Sequence, residues 1–293
     1  MEQIITLTNG QLTTRVNLAG AELCGIYAHK TDTEYMWQPG HETWDHSNLL
    51  LFPNPGRIAG DRIIANGKVY PAMMHGFACK QMFAVAEQGS DRLILELAAD
   101  NDTRRYFPYA FCLQVEFRLE GERLLQHIRV INRDDKPVYY CLGAHPAFYC
   151  PLHIDGSADD CYLEFDCPQN LNMLHMQQNT RLLTGEETPY LRGTQIPLHE
   201  HFFDNGPKLL GGMAAKTIAL RSKKDSRFVE MGIEGFENLC LWGAPTRMSL
   251  IAIEPWLGAN DRVDTDHVWE HKPGIQCAPV GQTNTHTLTF RVG

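Results

Sequence analysis

Two titratable residues stand in apolar surroundings, each directly before a proline. His145 lies in LGAHPAFYC, and Glu254 lies in IAIEPW. Because proline disfavours the helical conformation of the residue before it, both residues are expected to be extended, at strand ends and on stiffened backbone. A histidine and a carboxylate held in this way can deliver and remove protons. The sequence therefore points first to general acid–base chemistry.

Glu254 ends a run with the periodicity of a strand. In SLIAIE, Leu250, Ala252 and Glu254 share one face, and two isoleucines share the other. If both faces are covered, the carboxylate is at least partly buried, and burial raises the pKa of a carboxyl group toward the range that suits a general base. The alternative is an ion pair with an arginine such as Arg262 at the rim of a sandwich. The local pattern leaves both interpretations open.

The histidines carry less information one by one. His75 lies in MMHGFA, before a glycine that permits close backbone approach. The chain contains 13 histidines, so His75 or His145 taken alone is better explained as a core histidine with satisfied hydrogen bonds. His199 and His201, in LHEHF, share one face of a possible strand, as a pair of metal ligands would. A third ligand with a convincing spacing is missing, so we expect no metal site.

Other side chains are suited to binding a hydroxylated ligand. Arg57 and Arg62, in FPNPGRIAGDRI, could donate several hydrogen bonds to a hydroxylated or anionic ligand, or could be solvated turn residues. Asp204, in FFDNGPK, is either a site carboxylate or a turn residue. Tryptophans can stack on a sugar ring, although core packing is their commoner use. The plausible platforms are Trp37, Trp242 and Trp256.

The elements that must position these residues are strands. Hydrophobic residues alternate cleanly over 114–119, and Gly121 then precedes a second alternating run, which predicts a hairpin. Many short strands between turn signals predict an all-β fold, a large sandwich or barrel, as one domain over residues 1–293. Residues 168–212 are the least regular part and are predicted to be an excursion over one end of the sheets. The other strand candidates are 92–100, 161–166, 216–222, 227–233, 249–254 and 285–292.

Composition excludes several classes of partner. A net charge of −9 disfavours binding to nucleic acid or to an anionic membrane. MEQIITLTNG lacks the basic and apolar regions of a signal peptide, and no run of about 18 apolar residues could span a membrane. The nine cysteines show neither CxxC spacing nor a disulfide framework. Reduced thiols in a cytoplasmic protein are expected.

The order of several motifs resembles the aldose 1-epimerase (galactose mutarotase) superfamily, most closely its LacX-like branch. These motifs are EYMWQ, LLLFPNPGRI, VYPAMMHGFA, LGAHPAFYCPL, LCLWG and IAIEPWLG. The likeness runs from NGQLTTRVNLAGAEL to the final strand and thus covers essentially the whole chain. HGF, GxHPxF and IEPW in this order are specific together, whereas each alone is weak. The resemblance implies a β-supersandwich with few short helices.

The resemblance also implies an activity, the interconversion of α and β anomers of an aldohexose without metal, nucleotide or other cofactor. By motif, His145 matches the general acid that protonates the ring oxygen. Glu254 matches the general base that takes the proton from the anomeric hydroxyl. His75 matches the second histidine, which orients the sugar near its ring oxygen. An acid and a base on opposite sides of the ring would suffice for opening and reclosing the hemiacetal.

The family's binding residues carry over less evenly. Arg57 matches the arginine of the GR turn, and Asp204 a sugar-binding aspartate before an apolar strand. Arg62 stands where relatives have an Asn-Arg pair, but here the pair is Asp61-Arg62. The motif HGFARD of this branch reads HGFACK here, with Cys79 and Lys80.

Three functional hypotheses follow. The first is a mutarotase acting on a free aldohexose, and the second is a mutarotase acting on a hexose 6-phosphate. The second requires a basic cluster at the mouth of the cleft, for which the candidates are Arg57, Arg62 and Lys80. The third is a non-catalytic carbohydrate-binding or sensory module. The expected partner is a small sugar or its phosphate, and the sequence is compatible with a monomer or a homodimer.

Overall fold

The computed structural model describes residues 3–40, 44–153, 155–244 and 248–293. Within these ranges the chain consists of strands joined by turns and by short 3-10 helices at Ala59–Asp61, Ala78–Lys80, Thr103–Arg105, Ala158–Asp160 and Trp269–His271. The first strands are β1 (Ile4–Thr8), β2 (Leu12–Asn17), β3 (Glu22–Ala28), β4 (Thr33–Glu34), β5 (Asn48–Leu51), β6 (Arg62–Ala65), β7 (Lys68–Pro71), β8 (Ala84–Gln88), β9 (Arg92–Ala98), β10 (Phe111–Glu120) and β11 (Arg123–Asn132). The later strands are β12 (Val138–Tyr140), β13 (Leu142–Tyr149), β14 (Cys161–Met176), β15 (Leu183–Pro197), β16 (Lys208–Gly211), β17 (Thr217–Ser222), β18 (Phe228–Gly232), β19 (Asn238–Gly243), β20 (Leu250–Leu257), β21 (Gln276–Ala278) and β22 (Thr283–Val292).

The all-β prediction is confirmed, and the hydrophobic alternation marks the strands. The run at 114–119 belongs to β10, which pairs with β11 from Glu120↔Arg123 to Phe111↔Asn132. Gly121 turns this hairpin with a φ of +58°, a conformation that glycine adopts without strain. Each of the other candidate segments also overlaps a strand of the structure, namely β9, β14, β17, β18, β20 and β22.

Most strands join one large antiparallel sheet. In the described part of the chain this sheet has 14 strands in the order β5-β13-β20-β19-β16-β14-β17-β18-β22-β11-β10-β9-β8, with β15 added beside β14. The last strand in sequence, β22, lies inside the sheet, between β18 and β11. Strands β1 to β4 form a separate sheet, and β6 with β7 and β12 with β21 form small ribbons.

The core lies between the sheets and is rich in phenylalanine. The ring of Phe52 packs against Phe107 and Phe111, with centroids 5.5 and 5.3 Å apart. Strands β13 and β20 are buried along nearly their whole length, which explains their continuous apolar runs. One face of these two strands adds to this core, and the opposite face forms the floor of a cavity.

The segment 168–212 is more regular than its sequence indicates. It contains the end of β14, then β15 and β16, and β14 pairs with β15 from Tyr162↔Pro197 to Met176↔Leu183. The prediction of an irregular excursion is therefore wrong. Most of β15 is exposed, so neither of its faces needs an apolar row, and the alternation that identifies half-buried strands is missing.

His145 and Glu254 lie inside strands rather than at strand ends, so that part of the prediction is wrong. His145 is within β13 and Glu254 within the neighbouring β20. These strands pair at Gly143↔Trp256 and again at Ala147↔Ala252. Pro146 of β13 and Pro255 of β20 lie between these pairs. Neither has an N–H that could donate a hydrogen bond to the neighbouring strand. The prolines thus mark a local opening of the sheet between the two candidate groups.

Eight cysteines are free thiols, namely Cys79, Cys112, Cys141, Cys150, Cys161, Cys167, Cys240 and Cys277. Among the residues that the structure describes, no helix is long and apolar enough to cross a membrane.

Candidate active site

A cavity of about 420 Å³ opens on the face of strands β5, β13, β20, β19 and β16 that points away from the core. Side chains from one row of these strands form its floor, because residues paired across a sheet point to the same face. His145 pairs with Leu49 on one side, and Glu254 pairs with Cys240 on the other, which in turn faces Leu209. The lining residues are Trp44, Leu49, Gly56, Arg57, Met74, His75, His145, Met176, Arg181, Pro207, Leu209, Cys240, Trp242, Glu254, Trp256 and Asn260.

His145 and Glu254 contact each other at the centre of this floor. The distance from His145 Nε2 to Glu254 Oε1 is 3.1 Å. Both side chains are nearly inaccessible, at 9% and 2% exposure. The backbone N–H of His145 donates to Oδ1 of Asn48 at 3.1 Å and fixes the histidine on its other strand neighbour. The acid and base candidates therefore lie side by side, and the expectation that they flank the ring from opposite sides is wrong.

The second oxygen of Glu254 is also held. Trp256 Nε1–H donates to Glu254 Oε2 over 3.2 Å, and the indole is only 3% exposed. Gly143, its partner across the strands, makes room for this ring, since a Cβ there would lie 2.8 Å from Trp256 Cδ1. The alternative partner of Glu254 is excluded, because Arg262 donates to Asp264 at 2.8 and 3.0 Å.

His75 reaches the same cavity from a strained turn. Its φ is +64°, a conformation that non-glycine residues adopt rarely and usually where function requires it. The turn is fixed by two hydrogen bonds with Gly56. His75 N–H donates to the Gly56 carbonyl at 3.0 Å, and Gly56 N–H donates to His75 Nδ1 at 3.1 Å. Because Nδ1 accepts, the proton of the neutral ring is on Nε2.

Burial shifts the three titratable groups toward their neutral forms. It lowers the pKa of His145 to about 3, and the neighbouring His75 adds to this effect. It lowers the pKa of His75 to about 4, with Arg57 adding to the effect. It raises the pKa of Glu254 well above its ordinary value, although contacts with Cys240 and Trp256 favour the carboxylate. We infer that the His145–Glu254 pair shares one proton at neutral pH.

Aromatic rings form the wall beside His145. The Trp44 ring lies over the imidazole, with centroids 4.5 Å apart and planes tilted by 33°. Trp242 meets the same imidazole edge-on at 5.8 Å. Trp242 and Trp256 were expected at the site and line the cavity. Trp37 does not line the cavity and is buried in an apolar cluster that includes Ala147. The sequence analysis did not identify Trp44 as a site residue, because nothing in its local sequence marks it as one.

The arginines are arranged differently from the prediction. Arg57 lines the cavity, and so does Arg181, which the sequence reasoning missed because it lies in a polar turn with no motif. Arg62 begins β6 and is exposed, outside the lining. Lys80 is also outside, with Nζ 3.7 Å from Met73 Sδ.

Asp204 is likewise outside the lining. Its carboxylate is 43% exposed and accepts from His201 Nδ1 at 3.0 Å. The segment around His199 and His201 is a turn rather than a strand, so the expected pair on one strand face does not form. No group of three or more His, Cys, Asp or Glu side chains that could hold a metal ion occurs among the described residues.

The arrangement is suited to moving one proton between two neighbouring oxygens of a ligand. An acid and a base that touch each other can serve two oxygens bonded to the same carbon, as in a hemiacetal. The aromatic wall offers apolar faces to a ring, and His75 and the arginines offer donors to ring oxygens and other polar groups.

Comparisons with known proteins agree with this reading. The family model described as aldose 1-epimerase matches residues 3–234. The protein LacX of Lactococcus lactis subsp. lactis is 28% identical over 279 residues, which are 92% of this chain and 93% of LacX.

Solved structures show the same fold. A galactose mutarotase-like protein from Lactobacillus casei has a TM-score of 0.92 at 25% identity, covering 99% of this chain and 100% of that one. A galactose mutarotase related enzyme from Lactobacillus acidophilus also has a TM-score of 0.92, at 24% identity, with coverage of 99% and 97%. The predicted galactose mutarotase-like sandwich is thereby confirmed. Together with the family match over most of its length, this shows that the chain belongs to the aldose 1-epimerase family.

Proposed function

We propose that this protein is a mutarotase that interconverts the α and β anomers of an aldose by opening and reclosing the sugar ring. The observation that carries the proposal is the contact of 3.1 Å between His145 Nε2 and Glu254 Oε1 on the floor of the cavity. Family membership supports an isomerase, and the pair supplies the groups that this isomerisation needs.

The proton balance of the reaction fits a pair that shares one proton. In the productive form the proton is on His145, and Glu254 is a carboxylate. Glu254 takes the proton of the anomeric hydroxyl while His145 protonates the ring oxygen, and the C1–O5 bond breaks. The aldehyde rotates about C1–C2, and the same steps in reverse close the ring on the other face. Both oxygens are bonded to C1, so adjacent groups can serve both of them.

The surrounding residues assist these transfers. The N–H of Trp256 stabilises the carboxylate form of Glu254 and opposes the effect of burial. His75 stays neutral at physiological pH, because its pKa is lowered to about 4. Its Nε2–H is then available to a sugar oxygen near His145. Trp44 and Trp242 limit the positions of the sugar ring beside the imidazole.

The test is an anomer-exchange measurement by NMR over a panel of aldoses. Glu254→Gln and His145→Gln should fold normally and lower the catalysed rate by about 10²–10⁴-fold, the usual effect of one positioned proton transfer. His286→Gln is the matched control, because His286 is a half-buried histidine bound to Tyr140 away from the cavity. If the wild type exchanges no sugar faster than buffer does but still binds sugars, the non-catalytic hypothesis replaces this one.

We also propose a cytoplasmic location. The free thiols of the eight cysteines named above support it, since thiols persist in a reducing compartment. That residues 1–293 form a single domain stays a prediction.

A further inference from the structure

Two arginines, Arg57 and Arg181, line the cavity. Among the described residues, the guanidinium groups of Arg57 and Arg181 have no carboxylate within ion-pair distance, whereas Arg262 nearby is paired with Asp264. Glu254 is the one carboxylate in the described lining, and it is held by His145 and Trp256. Two positive charges on one cavity therefore face a carboxyl group that already has its partners.

A single buried amide holds the two arginines on the same side of the cavity. Oδ1 of Asn260 accepts from the backbone N–H of Arg57 at 2.7 Å, and its Nδ2 donates to the carbonyl of Arg181 at 2.8 Å. Gly56 is required for this approach, since a Cβ there would lie 1.8 Å from Asn260 Oδ1. The turns that carry the arginines are far apart in sequence, and the amide fixes their spacing in the fold.

The position of Arg181 is further defined by its own turn. Its φ is +61°, and its N–H donates to the carbonyl of Gln177 at 2.9 Å. The guanidinium packs on Gly206, where a Cβ would be 3.0 Å from one of its terminal nitrogens. A non-glycine residue in the left-handed conformation is strained, and such strain is typical of functional positions.

The proposed reaction would bring the part of the sugar that carries C6 near Arg57. In the proposed reaction His145 acts on the ring oxygen, which is bonded to C5, and C6 extends from C5. Arg57 directly follows Gly56, whose backbone binds His75 in both directions, and His75 meets His145 edge-on at 5.8 Å. Arg57 thus lies next to the residues that surround the ring oxygen.

We propose that the substrate is an aldose with an anionic group at C6, bound by Arg57 and Arg181, which deepens the proposed mutarotase function and rests on it. The anion is either the phosphate of a hexose 6-phosphate or the carboxylate of a uronic acid. Both are planar or trigonal arrays of oxygens that guanidinium groups bind through paired hydrogen bonds. Arg181 and Arg57 take the place of the basic cluster expected from Arg57, Arg62 and Lys80.

The experiment compares glucose, glucose 6-phosphate and glucuronate in the NMR exchange assay, after subtraction of the uncatalysed rate. At least one of the two anions should exceed glucose in kcat/KM by tenfold or more. Arg57→Gln and Arg181→Gln should each lower kcat/KM for that anion by about 10–100-fold, the range for hydrogen bonds to charged groups. Arg104→Gln, an exposed arginine outside the cavity, is the charge-matched control and should change nothing.

Conservative variants guard against a folding defect. Arg57→Lys and Arg181→Lys keep the charge but lose the planar fork, so each should fall between wild type and its glutamine variant. The order of the phosphate and carboxylate substrates identifies the anion. Equal or better turnover of glucose, or no effect of either glutamine variant on the anions, would overturn the subsite while leaving the mutarotase intact.

A calorimetric titration separates failure of the subsite from failure of the activity. If no sugar shows catalysed exchange, but glucose 6-phosphate or glucuronate binds and Arg181→Gln weakens that binding at least tenfold, the proposed activity fails and the anion subsite stands. If neither anion binds and no sugar is exchanged, both proposals are overturned.

Discussion

Replacement of Trp256 by phenylalanine tests the role of Glu254 most directly. Phenylalanine keeps an aromatic ring in the buried position but removes the Nε1–H that donates to Glu254 Oε2 at 3.2 Å. A hydrogen bond to a charged group contributes about 1.5–3 kcal/mol, and this long one should lie at the lower end. About 1.4 kcal/mol corresponds to one pKa unit, so the pKa of Glu254 should rise by about one unit.

The sign of the effect on activity follows from the role of the carboxylate. Glu254 must be deprotonated to accept the anomeric proton, and its pKa is already raised by burial. A further rise draws the proton that the pair shares from His145 to Glu254, away from the productive form. Over the pH range in which the pair holds one proton, kcat/KM should therefore fall about tenfold.

The assay is NMR anomer exchange from pH 4.5 to pH 9, with Trp269→Phe as the matched control. Trp269 is also a buried indole whose Nε1–H donates, to the carbonyl of Tyr139 at 2.7 Å, but it does not line the cavity. Its replacement should lower thermal stability and leave kcat/KM unchanged. An unchanged kcat/KM in a folded Trp256→Phe variant would refute the assignment of Glu254 as the base.

Three other changes have defined outcomes. His286→Gln should flatten the loss of stability between pH 6.5 and pH 4, because the pKa of His286 is lowered to about 4 by burial and only the unfolded chain takes up its proton in that window. At pH 4 the variant should lack a loss of about 3 kcal/mol in the free energy of unfolding that His286 causes in the wild type, measured by urea unfolding. An unchanged dependence of that free energy on pH would contradict this. Gly143→Ala should lower stability by about 1–3 kcal/mol in thermal unfolding through overpacking against Trp256 Cδ1, 2.8 Å away, and an unaltered Tm would exclude that clash. Asn260→Ala removes two hydrogen bonds to backbone and should raise KM more than it lowers kcat in the exchange assay, whereas a pure kcat effect would argue against a binding role.

The sequence reveals the strands and the chemical centre because both follow local rules. Alternation identifies strands with one buried face, such as β10 and β11. The prolines after His145 and Glu254 restrict those backbones, and the shared motif order points to their roles. The prediction of strand ends was wrong because a proline also fits inside a buried strand when the residue before it has another hydrogen-bond partner. His145 is such a residue, since its N–H donates to Asn48 Oδ1.

The cavity wall depends on contacts that the sequence does not encode locally. Arg181 and Trp44 lie outside the strands, and only the fold brings them to His145 and Arg57. The failure at β15 has the same origin, because an exposed hairpin carries no apolar alternation. Asp204 resembled a binding residue by its place in the chain, whereas its side chain is exposed and binds His201.

The interior place of β22 has a consequence for the making of the protein. A ribosome releases the chain from its first residue to its last, but Thr283–Val292 must insert between β18 and β11. Until that segment emerges, the sheet is divided into two parts. One part consists of β8 to β11, and the other consists of the strands that lie between β5 and β18 in the sheet order, and each part has an unpaired edge strand. Such edges are open to strand exchange with other nascent chains. The sheet can therefore be joined only after residues 283–292 have emerged, and a chain stopped before residue 283 keeps two unpaired strand edges.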